Sequence, residues 1–202
     1  MGSELKCRVR YGEEISEGKA LLETSEVVFR GEFRLKIPFA SIKSLKAADG
    51  ELRLQTAEGL AVFEIGAAAE KWLEKILHPK TRIEKLGVKV GAQVALFGAF
   101  DADFVAELKP IAGALAKETI TAETDTIFFA ADSLKELSRV AKIAKAMKGA
   151  TALWIVYPKG QKSITENDVI GAGRKAGLKD VKVVGFSATH TALKFAIPVE
   201  KR

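Results

Sequence analysis

Apolar and charged positions alternate at the start of the chain. Leu5, Cys7, Val9 and Tyr11 interleave with Lys6, Arg8 and Arg10. A period of two belongs to a strand with one face buried and one in water, and it puts Cys7 on the inner face. Short runs of the same kind follow at residues 20–23, 27–30 and 33–37, where Phe33, Leu35 and Ile37 face one way and Arg34 and Lys36 the other. Asp49-Gly50 is a hairpin turn by composition, since both residues tolerate positive φ; it joins 41–47 to 51–56. Glu58-Gly59 leads into 60–65. Six or seven short strands with close turns predict a small barrel or a pair of packed sheets. The period then changes: Ala69, Trp72, Leu73, Ile76 and Leu77 recur at helical spacing until Pro79 stops the helix. Trp72 is expected in the core, plugging the open end of the barrel.

Beyond a polar connector, HPKTRIEKLG, strands and helices alternate. The buried strand 93–97 ends at Gly98. Asp101 caps a helix through Leu108, because its carboxylate can accept unpaired backbone N–H groups. Residues 114–120 read as a short helix or a weak strand. The nearly all-apolar runs DTIFFAA (125–131) and TALWIVY (151–157) are expected for parallel strands covered on both faces. Ser133 and Glu136 form a capping box that opens a helix to about Met147, with Leu134 on its buried side. Thr165 with Asp168 starts another, which Gly177 ends. Residues 180–198 form two strands joined near 188–191. Strand–helix alternation predicts a parallel sheet with helices on both faces. The domains are therefore expected at 1–82 and 83–202.

Composition is that of a globular chain of 202 residues, 48% hydrophobic and 29% charged. The net charge is +6. Residues 1–82 carry fourteen basic and thirteen acidic side chains, and 83–202 carry eighteen and thirteen. The excess is spread rather than clustered, which favours a solvated surface over a nucleic-acid footprint. Nucleic acid is disfavoured further because most aromatics fall at expected core positions and not among exposed cations. One cysteine permits no intramolecular disulfide and suits a reducing compartment. No run is long enough to span a membrane and no secretory leader is visible, so the expected location is the cytoplasm.

The strands closed by one amphipathic helix resemble the pleckstrin-homology-like superfold, including its GRAM branch. The antiparallel pair ending a doubly wound sheet resembles the methyltransferase-type Rossmann fold. More narrowly, LGVKVGAQVALFGA, DTIFFAADSLKEL, GATALWIVYPKG and DVKVVGF resemble a bacterial family with a degenerate methyltransferase-like domain of unknown function. The resemblance implies a two-domain chain, a small β-barrel with a C-terminal helix followed by a three-layer α/β Rossmann-like domain, and no assigned activity.

In open α/β sheets ligands sit at the carboxyl ends of the strands. Those ends hold Gly98, Asp132 and Lys159, the candidate ligand-binding residues. Asp132 either caps the following helix, the favoured role, or faces a ligand; Lys159, on a rigid Tyr-Pro segment, is the candidate for anion contact. A methyltransferase resembling this chain would carry a glycine-rich turn after its first strand and an acid ending its second, to hold ribose hydroxyls. Here one glycine, Gly98, is followed by bulky Phe100, and Glu118 and Glu123 are acids without a fixed register. No cofactor is therefore expected. Gly171-Ala172-Gly173-Arg174-Lys175-Ala176 matches a dinucleotide-binding pattern but falls inside a helix, where the motif has no phosphate to meet. His78 and His190 are isolated, so no metal site is expected and no catalytic residue is assigned. In the first domain, Arg30, Arg34 and Lys36 are candidates for an anion-binding face. The favoured function is a non-enzymatic binding or scaffold protein with an anionic ligand or a protein partner. The alternatives are a divergent S-adenosylmethionine-dependent methyltransferase and a basic nucleic-acid-binding module.

Overall fold

A computed structural model describes residues 3–201. The chain falls into two compact units, Met1–Lys80 and Thr81–Arg202.

The first unit is a curled sheet of seven antiparallel strands and one helix. The strands are β1 (Ser3–Tyr11), β2 (Glu14–Leu22), β3 (Glu26–Arg30), β4 (Arg34–Pro38), β5 (Ser44–Ala48), β6 (Glu51–Gln55) and β7 (Leu60–Glu64), in the order β4-β3-β2-β1-β7-β6-β5. Their inner face carries Val9, Phe29, Leu52, Leu54 and Phe63, all fully buried. Helix α1 (Ala68–Leu77) lies against β5 and β6 and delivers Trp72, 1% exposed, into this core. Asp49 and Gly50 both take positive φ, 53° and 78°, as a two-residue hairpin turn requires. Cys7 is half-buried against the same core, and burial pushes its thiol up to about 11, so it stays protonated at neutral pH.

The second unit is a mixed sheet of six strands with helices: α2 (Arg82–Leu86), β8 (Gln93–Phe97), α3 (Ala102–Leu108), β9 (Ala114–Lys117), β10 (Thr126–Ala130), α4 (Leu134–Leu137), α5 (Val140–Ala146), β11 (Ala152–Pro158), α6 (Glu166–Lys175), β12 (Lys179–Gly185) and β13 (His190–Ala196). The order is β12-β13-β11-β10-β8-β9. Strands β8 to β11 run parallel, while β13 is antiparallel to both β11 and β12. Two apolar layers cover the faces, one built on Ile127, Phe129, Leu153, Ile155 and Phe195, the other on Phe104, Phe128, Trp154 and Phe186. No helix among the described residues is long and apolar enough to cross a membrane.

Several expectations need correction. The polar connector holds a short helix: Thr81 and Glu84 form a capping box on α2, and Ile83 and Leu86 are buried. Its polar appearance came from a one-turn helix whose two apolar residues were too few to show a period. Arg82 belongs with the second unit, paired to Glu107 at 2.9 Å and Asp101 at 3.4 Å, with its guanidinium over the Phe104 and Phe186 rings. The single helix expected from Ser133 to Met147 is two, α4 and α5, broken where the Ser138 hydroxyl donates to the Lys135 carbonyl at 2.7 Å; Leu134 is exposed, not buried. Residues 14–19 form part of a long strand that the polar sequence EISEGK does not announce. The weak element at 114–120 is a strand, β9. By contrast Asp101 caps α3 through the Phe104 N–H at 2.7 Å, and Thr165 and Asp168 box the start of α6.

Candidate functional site

The parallel strands of the second unit end on one rim, and the residues there come from the ends of β8, β9, β10 and β11 and the start of β13. Gly98 follows β8 with φ +87°, and a Cβ on it would lie 2.9 Å from the Ala130 carbonyl oxygen and 3.2 Å from the Ala130 Cβ. Only glycine allows β8 and β10 to diverge this closely. Its N–H donates to Glu118 Oε1 at 2.8 Å. Glu118 directly follows β9 and takes φ +53°, a left-handed conformation uncommon outside glycine; its own N–H returns to the Leu96 carbonyl at 2.8 Å. Its second oxygen pairs with the Arg139 guanidinium, which also lies over the Phe97 and Phe129 rings at 5.8 and 5.5 Å. The Gly98 N–H, then Arg139, hold the Glu118 carboxyl below its usual range.

Asp132 does not cap the helix. The Glu136 carboxylate takes that place, accepting from the Asp132 N–H at 2.6 Å and the Ser133 N–H at 3.1 Å. A long glutamate reaches back over the helix start and leaves the Asp132 side chain free to turn outward, where its Oδ1 lies 3.6 Å from His190 Nε2. His190 opens β13 opposite Pro158, and its Nδ1 is 2.9 Å from Thr189 Oγ1. Lys159 is exposed, but its ammonium donates to the Ser187 carbonyl at 2.7 Å, and its N–H to the Thr189 carbonyl at 2.8 Å.

Gly98, Asp132 and Lys159 therefore lie on one rim; the Gly98 N–H and the Lys159 ammonium are taken by partners from this chain, and the exposed Asp132 carboxylate stands 3.6 Å from His190. Sequence reasoning offered Glu118 as one of two acids without register but missed its partner Arg139, and it missed the approach of His190 to Asp132. The signal for Glu118 was register: once β9 pairs Leu96 with Lys117, the next residue stands at the strand end beside Gly98. The glycine pattern at 171–176 lies in and just past α6. A Cβ on Gly173 would lie 2.1 Å from an edge carbon of the Phe195 ring, so that glycine serves close packing of helix on sheet. Among the described residues no group of three or more His, Cys, Asp or Glu side chains is gathered as a metal would require.

In the first unit, Arg30 stands directly opposite Arg34 across β3 and β4, whereas Lys36 stands opposite Val28 and pairs with Glu26 at 3.3 Å.

No protein-family model and no curated protein matches the chain, so nothing ties the quoted segments to a particular bacterial family. Solved structures similar to it include a SAM dependent methyltransferase from Aquifex aeolicus, at 17% identity over 57% of this chain and 87% of that one, with a TM-score of 0.45. A putative type 11 methyltransferase from Sulfolobus solfataricus is similar at 13% identity over 66% and 94%, TM-score 0.43. The N-terminal PH domain of human ARAP2 is similar at 12% identity over 50% and 90%, TM-score 0.32.

Proposed function

We propose that this is a non-catalytic binding protein whose α/β unit has a methyltransferase-like frame with its cofactor crevice closed by the chain's own side chains. The reading rests on Glu118. One carboxylate oxygen takes the Gly98 N–H, and the other takes Arg139. A nucleoside cofactor crossing these strand ends would have to displace an ion pair and a charge-assisted hydrogen bond, without a glycine-rich turn to offer new donors. Calorimetric titration with S-adenosylmethionine is expected to show a Kd weaker than about 1 mM. A micromolar Kd overturns the proposal.

A second reading, a divergent methyltransferase, is favoured by one observation: Glu118 stands at the end of the second strand of its sheet, where an acid would meet ribose hydroxyls, and holds a strained left-handed backbone there. Under it, Arg139→Ala would free the carboxylate and tighten cofactor binding, and Glu118→Gln would abolish it.

We also read the two units as independent domains, the first pleckstrin-homology-like and the second Rossmann-like, in a cytoplasmic protein. Supporting the layout, each unit has its own apolar core, and α2 pairs and packs with the second. Fragments 1–80 and 81–202 should each give dispersed proton spectra. A fragment starting at 83 should be less stable than one starting at 81 by about 1–2 kcal/mol, having lost the Thr81 cap and the Arg82 ion pairs. Equal denaturation midpoints for the two would show that α2 contributes nothing.

A further inference from the structure

Two lysines meet on one face of the second unit without an acid between them. Lys182 stands opposite Lys194 across β12 and β13, and Lys194 opposite Trp154 across β13 and β11. Directly opposed residues share a face, so all three lie on the side of the layer built on Phe104, Trp154 and Phe186. The Cα atoms of such pairs are about 4.5–5.5 Å apart. Both ammoniums lie over the Trp154 ring, Lys182 at 5.5 Å and Lys194 at 5.8 Å from its centroid. The ring attracts each cation, while the two cations repel each other.

Their surroundings differ. Lys182 is exposed and donates to the Lys85 carbonyl at 2.8 Å, which engages one of its three N–H donors. Lys194 is half-buried, and among the described residues its ammonium has neither a hydrogen-bond acceptor nor a carboxylate partner. Acids of the neighbouring elements are engaged elsewhere. Asp180, across the β12 bulge, pairs with Arg174 at 3.0 Å; Asp101 and Glu107 hold Arg82; Glu84 accepts from the Thr81 N–H at 2.7 Å. Burial, then the Lys182 charge, hold the Lys194 ammonium below the ordinary lysine range, which raises its share of free amine.

We propose that Lys194 takes up carbon dioxide reversibly as a carbamate, which Lys182 holds as an ion pair. The lone pair of the free amine attacks the carbon and a C–N bond forms. One C=O π pair moves onto oxygen, and the nitrogen releases a proton to water. The step needs no oxidant and has no leaving group. The surroundings choose this electrophile. The lysine pair lacks a negative charge; carbon dioxide brings one, whereas an acetyl group only removes a positive one. The amine rests half-buried against an indole, which suits a small, uncharged reagent. The carbamate oxygens can then accept charge-assisted hydrogen bonds from the remaining Lys182 donors.

The inference concerns the middle of β13 and holds whichever way the strand-end rim is read. For its test, the full chain is isotope-labelled at its lysine nitrogens and equilibrated with labelled carbon dioxide and bicarbonate at constant pH and ionic strength. Carbon NMR detects a carbamate by the coupling of its carbon to the lysine nitrogen. Trapping as an ester with a trialkyloxonium salt, then tandem mass spectrometry, assigns the residue and separates it from the N-terminal amine. A carbamate is expected at Lys194, above that at any exposed lysine, and lost in Lys194→Arg. Lys182→Glu should lower it by about fivefold or more, because a carboxylate there pairs with the ammonium and repels the carbamate, while Lys182→Arg should retain it. No carbamate at Lys194 in the wild type, or no more than at exposed lysines, overturns the proposal whether or not any variant folds. Shifts around Lys194 without coupling to its nitrogen mean bound bicarbonate and overturn it too. An unchanged Lys194 carbamate in Lys182→Glu overturns the ion pair.

Discussion

Replacing Trp72 by alanine is expected to unfold the first unit at temperatures where the wild type is intact. Its indole is 1% exposed and is the largest side chain that α1 inserts between the strands, beside Ala69 and Ile76. Removing a buried aromatic of this size costs about 3–5 kcal/mol, through lost transfer energy and the cavity left behind. A unit of 80 residues is stabilised by roughly 4–12 kcal/mol in all, so the loss takes about a quarter of that or more. The sequence contains two tryptophans, so in the variant fluorescence reports on Trp154 alone, in the second unit. A circular-dichroism transition at lower temperature, with the Trp154 fluorescence transition unmoved, is the expected outcome. If the dichroism midpoint shifts by only a degree or two, Trp72 does not close this core.

The two glycines of the false dinucleotide motif should respond to alanine with opposite signs. Gly171 is exposed in α6 and a Cβ there meets nothing within 4 Å. Alanine should stabilise the helix by about 0.5–1 kcal/mol, through reduced backbone entropy in the unfolded chain. Gly173 gains the same helix propensity, but its Cβ would collide with the ring of Phe195, a fully buried residue of β13. Overpacking of that kind costs about 1–3 kcal/mol and outweighs the propensity term. Urea denaturation of the two variants checks both signs. If Gly173→Ala is neutral and Gly171→Ala destabilising, α6 is turned differently on the sheet.

Periodicity made much of this architecture readable, and its failures share one physical cause. Leu5 to Tyr11 and the run at 151–157 announce strands because one pattern is alternating and the other wholly apolar. Residues 14–18 are hidden because β2 extends past its pairing with β3 there and needs little apolar surface; Ser16 is buried in it instead. The break between α4 and α5 depends on a single Ser138 hydroxyl turning to the backbone, a choice that composition leaves open. The candidate rim was readable as a place, the strand ends, but not as chemistry. Glu118 was one of two acids without register until β8 paired with β9. Lys6 lies in a strand that alternation announces and Lys19 in a stretch that it does not. Only the pairing of β1, β2, β3 and β4 shows that they share a line with Arg30 and Arg34.

The place of β12 at the end of its sheet has a consequence for the protein at high concentration. An end strand offers unpaired N–H and C=O groups to any other extended chain, and this one also exposes Val181 and Val183. Self-templating along it would need a straight, regular ribbon. The register slips between Asp180 and Lys182, placing a bulge next to Val181. Lys179 and Lys182 add positive charge on either side of that bulge, and Lys182 reaches over the Trp154 ring to the Lys85 carbonyl at 2.8 Å. A second copy approaching in an antiparallel or parallel sense meets a kinked ladder and like charge, so this edge resists fibril-like stacking.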